Sequence, residues 1–278
     1  MWQHQKFIMM IPLVLLPLIG VVVAAIGSLV GLGGGFILVP ILLVLFPEYS
    51  ASTITCISLL VVFINATSSS LRNLRSGVGD TRTAVIMIIF AIPAASLGSY
   101  ATRFIERSAF DPIFGLLLVL GAIYILIKRD PRTRDTANHV NNRHIQEKNG
   151  ALYVFYINEK LAAAISPAVG FVSSFFGIGG GVIHVPSLVY LLRVPTRVAT
   201  STSLLLLVPT SLVGVMTHIS TGQFEGEWII PILLGIGASI GGQIGSYLSK
   251  ITNQRTVLLI LAFVLMLVGV RQILTTLV

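Results

Sequence analysis

The chain has 278 residues, of which 55% are hydrophobic and only 10% are charged, with a formal net charge of +8. Soluble domains carry about 25% charged residues, so a water-exposed surface over most of this chain is excluded. The basic residues lie in short gaps between apolar segments, a pattern that indicates membrane orientation rather than nucleic-acid binding. Composition therefore predicts an integral membrane protein in a lipid bilayer, with no nucleic-acid partner.

Apolar segments follow one another along the chain. They cover residues 7–30, 35–46, 51–71, 83–101 and 110–127, and then 161–176, 181–192, 198–219, 228–248 and 256–274. A hydrocarbon core of about 30 Å needs about 20 helical residues, so the second segment of each group is predicted to be a half-helix. We expect an all-α polytopic membrane protein with about 8–10 membrane segments.

A polar stretch separates the two groups of segments. Residues 128–149 are rich in Arg, Asp, Asn and His and show no apolar period, which predicts a loop or short surface segment. We therefore divide the chain into a first membrane repeat over 1–130, a polar cytoplasmic linker over 131–154, and a second membrane repeat over 155–278.

The two groups are related by an internal repeat. Residues 31–40 read GLGGGFILVP and residues 177–186 read GIGGGVIHVP, with four glycines and the proline at matching positions. The similarity continues beyond this motif, because Thr55 and Ser58 match Thr200 and Ser203. The pattern predicts two homologous halves, each with a half-helix that begins at a glycine-rich turn.

Basic residues indicate how the halves are oriented. The gap Arg72–Arg82 carries arginines, whereas its counterpart His218–Glu227 has no Lys or Arg; Pro47–Ser50 has none, whereas Arg193–Arg197 has two. Matched gaps thus favour opposite sides of the membrane, which predicts an inverted-topology repeat. Each half then has an odd number of crossings, either five or a re-entrant hairpin followed by three. Both alternatives place the linker in the cytoplasm and both termini outside.

The glycine-rich turns are candidate ligand sites. A helix that begins at a glycine-rich turn presents free N–H groups and a positive dipole end, and glycine lets a ligand approach the backbone. Two such turns could form a cradle for one anion. The predicted cradle residues are Gly33, Gly34, Gly35, Gly179, Gly180 and Gly181. The alternative is that these glycines only permit tight helix packing.

Polar side chains near the turns are further candidates for substrate contact. They are Thr55, Ser58, Asn65, Thr200, Ser201, Ser203 and Thr210, together with the ionisable His184. Hydroxyls can donate to an oxyanion, and an ionisable group within the membrane is a functional candidate. Alternatively, the hydroxyls bond to carbonyls of their own helices and the histidine is neutral and bonded to a carbonyl.

The sequence predicts neither a cofactor nor a metal site. Cys56 is the single cysteine, and no phosphate-binding loop for ATP is present. No carboxylate lies deep in an apolar segment, which disfavours both a membrane-embedded enzyme and coupling through a buried Asp or Glu. We expect a small anion as substrate, no enzymatic activity, and either a transporter or an anion channel; homo-oligomerisation is left open.

The paired motifs Gly31–Pro40 and Gly177–Pro186 resemble the TauE/SafE family of sulfite exporter-like membrane proteins, as do the Thr/Ser-rich run after the second motif and the turn Ser220–Gln223. This resemblance covers essentially the whole chain. It implies a multi-pass plasma-membrane transporter of sulfite or organosulfonates such as sulfoacetate. Export is favoured, because moving a negative charge out of an inside-negative cell releases about 2.3 kcal/mol per 100 mV. Import of another small organic anion is the alternative.

Overall fold

The computed structural model describes residues 2–127, 142–148 and 150–277. In these residues the first half forms α1 (Trp2–Val30), α2 (Gly35–Leu45), α3 (Ala51–Ser76), α4 (Thr81–Ala101) and α5 (Arg107–Ile127). The second half forms α6 (Glu159–Phe175), α7 (Gly181–Pro186), α8 (Thr196–Ser220), α9 (Ile229–Ile251) and α10 (Gln254–Leu277), with a π-helical turn over Ser187–Leu191. Strands β1 (Asn142–Gln146) and β2 (Leu152–Tyr156) lie between the halves.

Six of the helices in the described residues are long and apolar enough to cross a membrane, namely α3, α4, α5, α8, α9 and α10. Large apolar side chains point outward, with Leu97 exposed by 62% and Phe263 by 68%, whereas Ser58, Asn65 and Ser201 are fully buried. This distribution suits a bilayer, where apolar side chains face the lipid and polar side chains face the protein interior. The expectation of an all-α polytopic membrane protein is confirmed.

The half-helices form as the glycine motif predicts. Helix α2 begins after Gly34, whose φ of 90° is left-handed, and α7 begins after Gly180 with a φ of 99°. Both helices are shorter than a membrane crossing: α2 has 11 residues, and α7 has 6 before its π-helical turn. By contrast, the long helix α3 has a side-chain cap, because Ser50 accepts a hydrogen bond from the N–H of Thr53.

The halves pack reciprocally. Helix α1 packs along α9 and its counterpart α6 packs along α4, while α3 pairs with α8 and α5 pairs with α10. Matched glycines make matched contacts: a Cβ at Gly98 would meet the carbonyl oxygen of Phe171, and one at Gly245 would meet that of Ala25. Such reciprocity is what a pseudo-twofold relation between homologous halves requires.

Helices α3 and α8 run in opposite directions. The start of α3 lies beside the end of α8, where the Thr53 hydroxyl donates to the Gln223 carbonyl at 3.3 Å. The segment after α3 lies beside the start of α8, where the Asp80 N–H donates to the Thr202 hydroxyl at 2.9 Å. Matched helices in opposite directions support the predicted inverted repeat, whose relation to the membrane stays a prediction.

The linker contains structure that the sequence did not predict. Residues 128–141 lie outside the described part, but strands β1 and β2 form an antiparallel hairpin that pairs Asn142 with Tyr156. The hairpin rests on the ends of the helices: the Lys148 N–H donates to the Ser76 carbonyl at 3.0 Å, and Arg143 lies 3.6 Å from Asp80. We call this end of the molecule the hairpin face.

The basic gaps that predict a cytoplasmic location meet at the hairpin face. Hairpin contacts reach Ser76 at the end of α3, Asp80 just after it, and Arg197 at the start of α8. The two gaps predicted to lie outside meet at the opposite face, where the Glu227 N–H lies 3.5 Å from the Tyr49 hydroxyl oxygen. The sequence therefore grouped the gaps correctly, and the side of the membrane on which each face lies stays a prediction.

Candidate functional site

The two glycine-rich turns have matching backbone conformations. Gly31, Gly33 and Gly34 have φ between 73° and 90°, and their counterparts Gly177, Gly179 and Gly180 have φ between 70° and 99°. These are left-handed conformations that side chains disfavour, which explains why the motif carries glycine at each position. The turns are therefore local features that the repeated motif specifies in both halves.

The turns contact each other where the halves meet. A Cβ at Gly35 would lie 2.7 Å from the Gly177 carbonyl oxygen, and one at Gly181 would lie 2.8 Å from the Gly31 carbonyl oxygen. Val62 and Leu207, which match each other in the repeat, both approach Gly33 and Gly179. The structure thus brings all six predicted cradle glycines together. Four of them also have a packing role, namely Gly33, Gly35, Gly179 and Gly181.

Consecutive N–H groups at the turns lack a hydrogen-bond acceptor in the part of the chain that the structure describes. Among the described residues, no hydrogen bond is found from the N–H groups of residues 33–36 or 179–182, whereas the next donors, Ile37 and Ile183, bond to Gly34 and Gly180. Four successive free donors in each turn form the type of site that binds anions. Packing alone leaves these donors unsatisfied, so the arrangement favours a ligand role.

Two predicted polar residues hold the turns in place. The Ser58 hydroxyl donates to the Gly177 carbonyl at 2.7 Å, which links α3 to the turn of the other half. The Asn65 amide donates to the Gly33 carbonyl at 2.8 Å, and its oxygen accepts from Ser28 at 2.8 Å. Ser28 was not predicted, because a serine within an apolar segment gives no signal of its partner.

The other predicted hydroxyls differ in their partners. Thr200 donates to the Arg197 carbonyl at 3.0 Å, Thr210 donates to the Leu206 carbonyl at 2.8 Å, and Ser201 donates to the Val78 carbonyl. Bonds to the same helix satisfy Thr200 and Thr210, as the alternative interpretation states. Ser203 is fully buried, and its hydroxyl has no hydrogen-bond partner in the described part of the chain.

His184 lies at the second turn with unsatisfied polar atoms. It is fully buried, and neither ring nitrogen has a hydrogen-bond partner among residues 2–127, 142–148 and 150–277. An ideal Cβ on Gly180 would lie 2.7 Å from its Nδ1 and 2.9 Å from the Ser173 hydroxyl oxygen, which is also unpaired. Sequence reasoning missed Ser173. Its proximity to His184 arises from the packing of α6 against the turn.

We expect different stability effects from two buried serines. Ser58→Ala removes the hydrogen bond to Gly177 and should lower the free energy of unfolding by about 1 kcal/mol. Ser173→Ala removes no hydrogen bond to the described residues and should leave that free energy within about 0.5 kcal/mol of wild type. Thermal unfolding in detergent measures both. A loss on Ser173→Ala equal to that on Ser58→Ala would show that Ser173 has a protein partner.

A polar cavity opens near the first turn, at the hairpin face. It has a volume of about 280 Å³, and its lining includes Leu29, Thr200, Arg197 and Glu147. An ideal Cβ on Gly31 would lie only 2.6 Å from the Thr200 Cα, so the cavity ends beside the glycine turn. No pattern in the sequence locates this cavity.

The matched position at the opposite face is covered by buried side chains. Thr55, the counterpart of Thr200, lies 3.2 Å from Nε2 of His218, whose Nδ1 lies 3.0 Å from the Gln223 side-chain oxygen. Both His218 and Gln223 are buried. The sequence predicted Thr55 but not these partners. Among the described residues, Thr200 therefore borders a cavity, whereas its counterpart Thr55 is covered by buried side chains.

The described residues of the candidate site offer hydrogen-bond donors rather than a cluster of metal ligands. Among the described residues, no group of three or more His, Cys, Asp or Glu side chains could hold a metal ion. The chemistry available at the turns is hydrogen-bond donation from backbone N–H groups, hydroxyls and an imidazole. That donor set suits an anion bound reversibly.

The described helices form a multi-pass membrane fold, and similarity to known proteins supports a membrane transporter. The family model described as "Sulfite exporter TauE/SafE" matches residues 16–272, and the chain belongs to that family. It is 29% identical to the probable membrane transporter protein YunE of Bacillus subtilis over 94% of this chain and 97% of that protein. It is 28% identical to a probable membrane transporter protein of Methanocaldococcus jannaschii, over 80% of this chain and 76% of that protein. No solved structure matches the chain.

Proposed function

We propose that the protein is a secondary transporter that moves small anions, sulfite or organosulfonates such as sulfoacetate, across the plasma membrane by alternating access. The observation that carries this proposal is the pair of glycine turns, each with successive N–H donors that have no acceptor among the described residues. Because the turns meet at the contact between the halves, one anion there interacts with both. The family description supports sulfur oxyanions as the substrate class.

The difference between the two faces supports alternating access. Thr200 lines a cavity, whereas its counterpart Thr55 is covered by His218 and Gln223. A movement that exchanged these two environments would open the opposite face and close the hairpin face. We assign the hairpin face to the cytoplasm and both termini to the outside. The divisions 1–130 and 155–278 are then the two moving halves.

Export is the direction that the membrane potential supports. A monovalent anion that leaves an inside-negative cell releases about 2.3 kcal/mol per 100 mV, so no coupling ion is required. An anion channel is the second candidate, since it could use the same donors. A channel would give unitary currents, whereas a transporter gives saturable exchange. The covered Thr55 favours the transporter, because a channel needs both faces open at once.

The test is uptake of labelled sulfite and sulfoacetate into proteoliposomes. In wild type we expect saturable uptake. Gly180→Ala should reduce it by at least roughly tenfold, because the methyl group enters the space between His184 and Ser173 and displaces a hydrogen-bonded ligand.

Gly150→Ala is the matched control for this experiment. Gly150 also has a positive φ, 92°, close to the 99° of Gly180, but a Cβ there has nothing within 4 Å. The control therefore places a side chain at a similar φ without the contacts. Equal uptake by both variants would remove the glycine cradle from the mechanism, whereas absence of uptake in wild type would contradict the substrate class.

A further inference from the structure

A buried ion pair lies in the cavity at the hairpin face. Arg197, in the first turn of α8, is 7% exposed, and its Nη2 lies 3.1 Å from a carboxylate oxygen of Glu147, which is 4% exposed. The other guanidinium nitrogen, Nη1, donates to the Ser249 hydroxyl. Glu147 follows strand β1 in the linker hairpin, so this carboxylate is brought to the helices from outside the membrane repeat.

The surroundings of the pair favour a second anion. Lys250 also lines the cavity, and among the described residues it forms no ion pair within 4 Å. Helix α8 has no side-chain cap at Pro195, and no hydrogen bond is found from the N–H groups of residues 196–198 in the described chain. Its counterpart α3 is capped by Ser50. The cavity thus combines two cations and free helix donors with a single carboxylate.

We propose that this cavity is an oxyanion-binding vestibule, in which the Glu147 carboxylate occupies the position beside Arg197 that an incoming oxyanion takes. A guanidinium presents a planar set of donors that fits carboxylate, sulfite and sulfonate oxygens alike. The geometry of Glu147 therefore shows where such a group binds. The anion displaces Glu147 and then lies beside Thr200, next to the first glycine turn. This inference rests on the proposed function for the identity of the anion.

The hairpin does not need Glu147 to stay attached. Arg143 forms ion pairs with Asp80 and Glu159, and the Lys148 N–H donates to the Ser76 carbonyl at 3.0 Å. Glu147 can therefore leave Arg197 while the hairpin keeps its other contacts. The exchange makes Glu147 an internal competitor, which lowers the apparent affinity for anions by the fraction of time that it occupies Arg197.

A neighbouring tyrosine supplies a neutral donor to the same cavity. Tyr153 on β2 lines this cavity. Burial raises the pKa of the Tyr153 hydroxyl, the nearby Glu147 carboxylate raises this pKa further, and Arg197 lowers it in part. The hydroxyl therefore stays protonated at physiological pH and can donate to an oxyanion. Its presence adds a donor without adding charge.

The test is calorimetric titration of the full-length protein in detergent with sulfite and with sulfoacetate. Glu147→Gln removes the competing charge while keeping the side chain's size, and it should lower the Kd for both anions about tenfold. Arg197→Gln in the Glu147→Gln background should abolish this gain. That double variant leaves a neutral pair, which avoids a buried unpaired charge.

Glu225→Gln is the control, because it removes the same charge from an exposed position at the opposite face. A tenfold gain with Glu147→Gln alone supports the vestibule. An unchanged Kd in Glu147→Gln, or an equal gain in Glu225→Gln, overturns it. Binding is measured without transport, so the two proposals fail separately. Tighter binding without uptake in proteoliposomes would contradict only the transport function, and uptake with an unchanged Kd would contradict only the vestibule.

Discussion

Gly35→Ala and Gly181→Ala are each expected to lower the free energy of unfolding by roughly 3 kcal/mol, because both overpack the contact between the glycine turns. A Cβ added at position 35 would lie 2.7 Å from the Gly177 carbonyl oxygen and 2.9 Å from the Ile178 Cα. The Cβ at Gly181 would meet the Cα of Leu32 and the carbonyl oxygen of Gly31. These are backbone atoms, so no side-chain rotation relieves the overlap. Chemical denaturation in detergent measures the loss.

Gly150→Ala and Gly222→Ala are the controls for this prediction. A Cβ at either position has nothing within 4 Å, although both have positive φ values, 92° and 67°. They should cost only the backbone strain of a left-handed residue, about 1 kcal/mol. Neither Gly35 nor Gly181 has a positive φ, so the comparison separates overlap from strain. If Gly35→Ala cost no more than Gly222→Ala, the turns would not pack as closely as described.

Asn65→Leu is expected to lower the free energy of unfolding by about 2 kcal/mol, because it leaves buried polar groups without partners. The Asn65 amide donates to the Gly33 carbonyl at 2.8 Å, and its oxygen accepts from Ser28 at 2.8 Å and from Ser69 at 3.3 Å. All of these side chains are buried. Thermal unfolding in detergent micelles measures the effect.

Thr210→Val is the control that the repeat itself supplies. Thr210 matches Asn65, but its hydroxyl donates to the carbonyls of Leu206 and Leu207 in its own helix. Those carbonyls also accept in the helix, so the substitution should cost less than about 1 kcal/mol. Equal losses for the two variants would mean that Asn65 does not hold the first glycine turn.

Local patterns in the sequence were sufficient to predict the class of fold. A charged fraction of 10% excludes a soluble surface, and apolar segments show which residues form helices. Left-handed turns need glycine, so the repeated motif locates the starts of α2 and α7 in both halves. The matched glycines were predicted as one group because a repeat implies equivalent positions, and the structure places them in contact.

The linker shows where local patterns end. Its charged and polar residues have no apolar period, which predicts a loop, yet β1 and β2 pair with each other from Asn142 to Tyr156. Strand pairing depends on the partner strand and on the helix ends beneath it, which a single window of sequence does not contain. The hairpin is therefore a product of tertiary context.

Composition, left-handed backbone and basic residues act locally, so they predict the membrane class, the two glycine turns and the grouping of gaps at two faces. Which polar groups meet depends on how the helices and the hairpin pack. Glu147 and Arg197 are 50 residues apart, and Thr55 and His218 are 163 apart. Identical hydroxyls acquire different roles accordingly: Ser58 holds a turn, whereas Ser173 and Ser203 have no hydrogen-bond partner among the described residues. A hydrogen bond depends on distance and direction between two groups, and packing alone sets both.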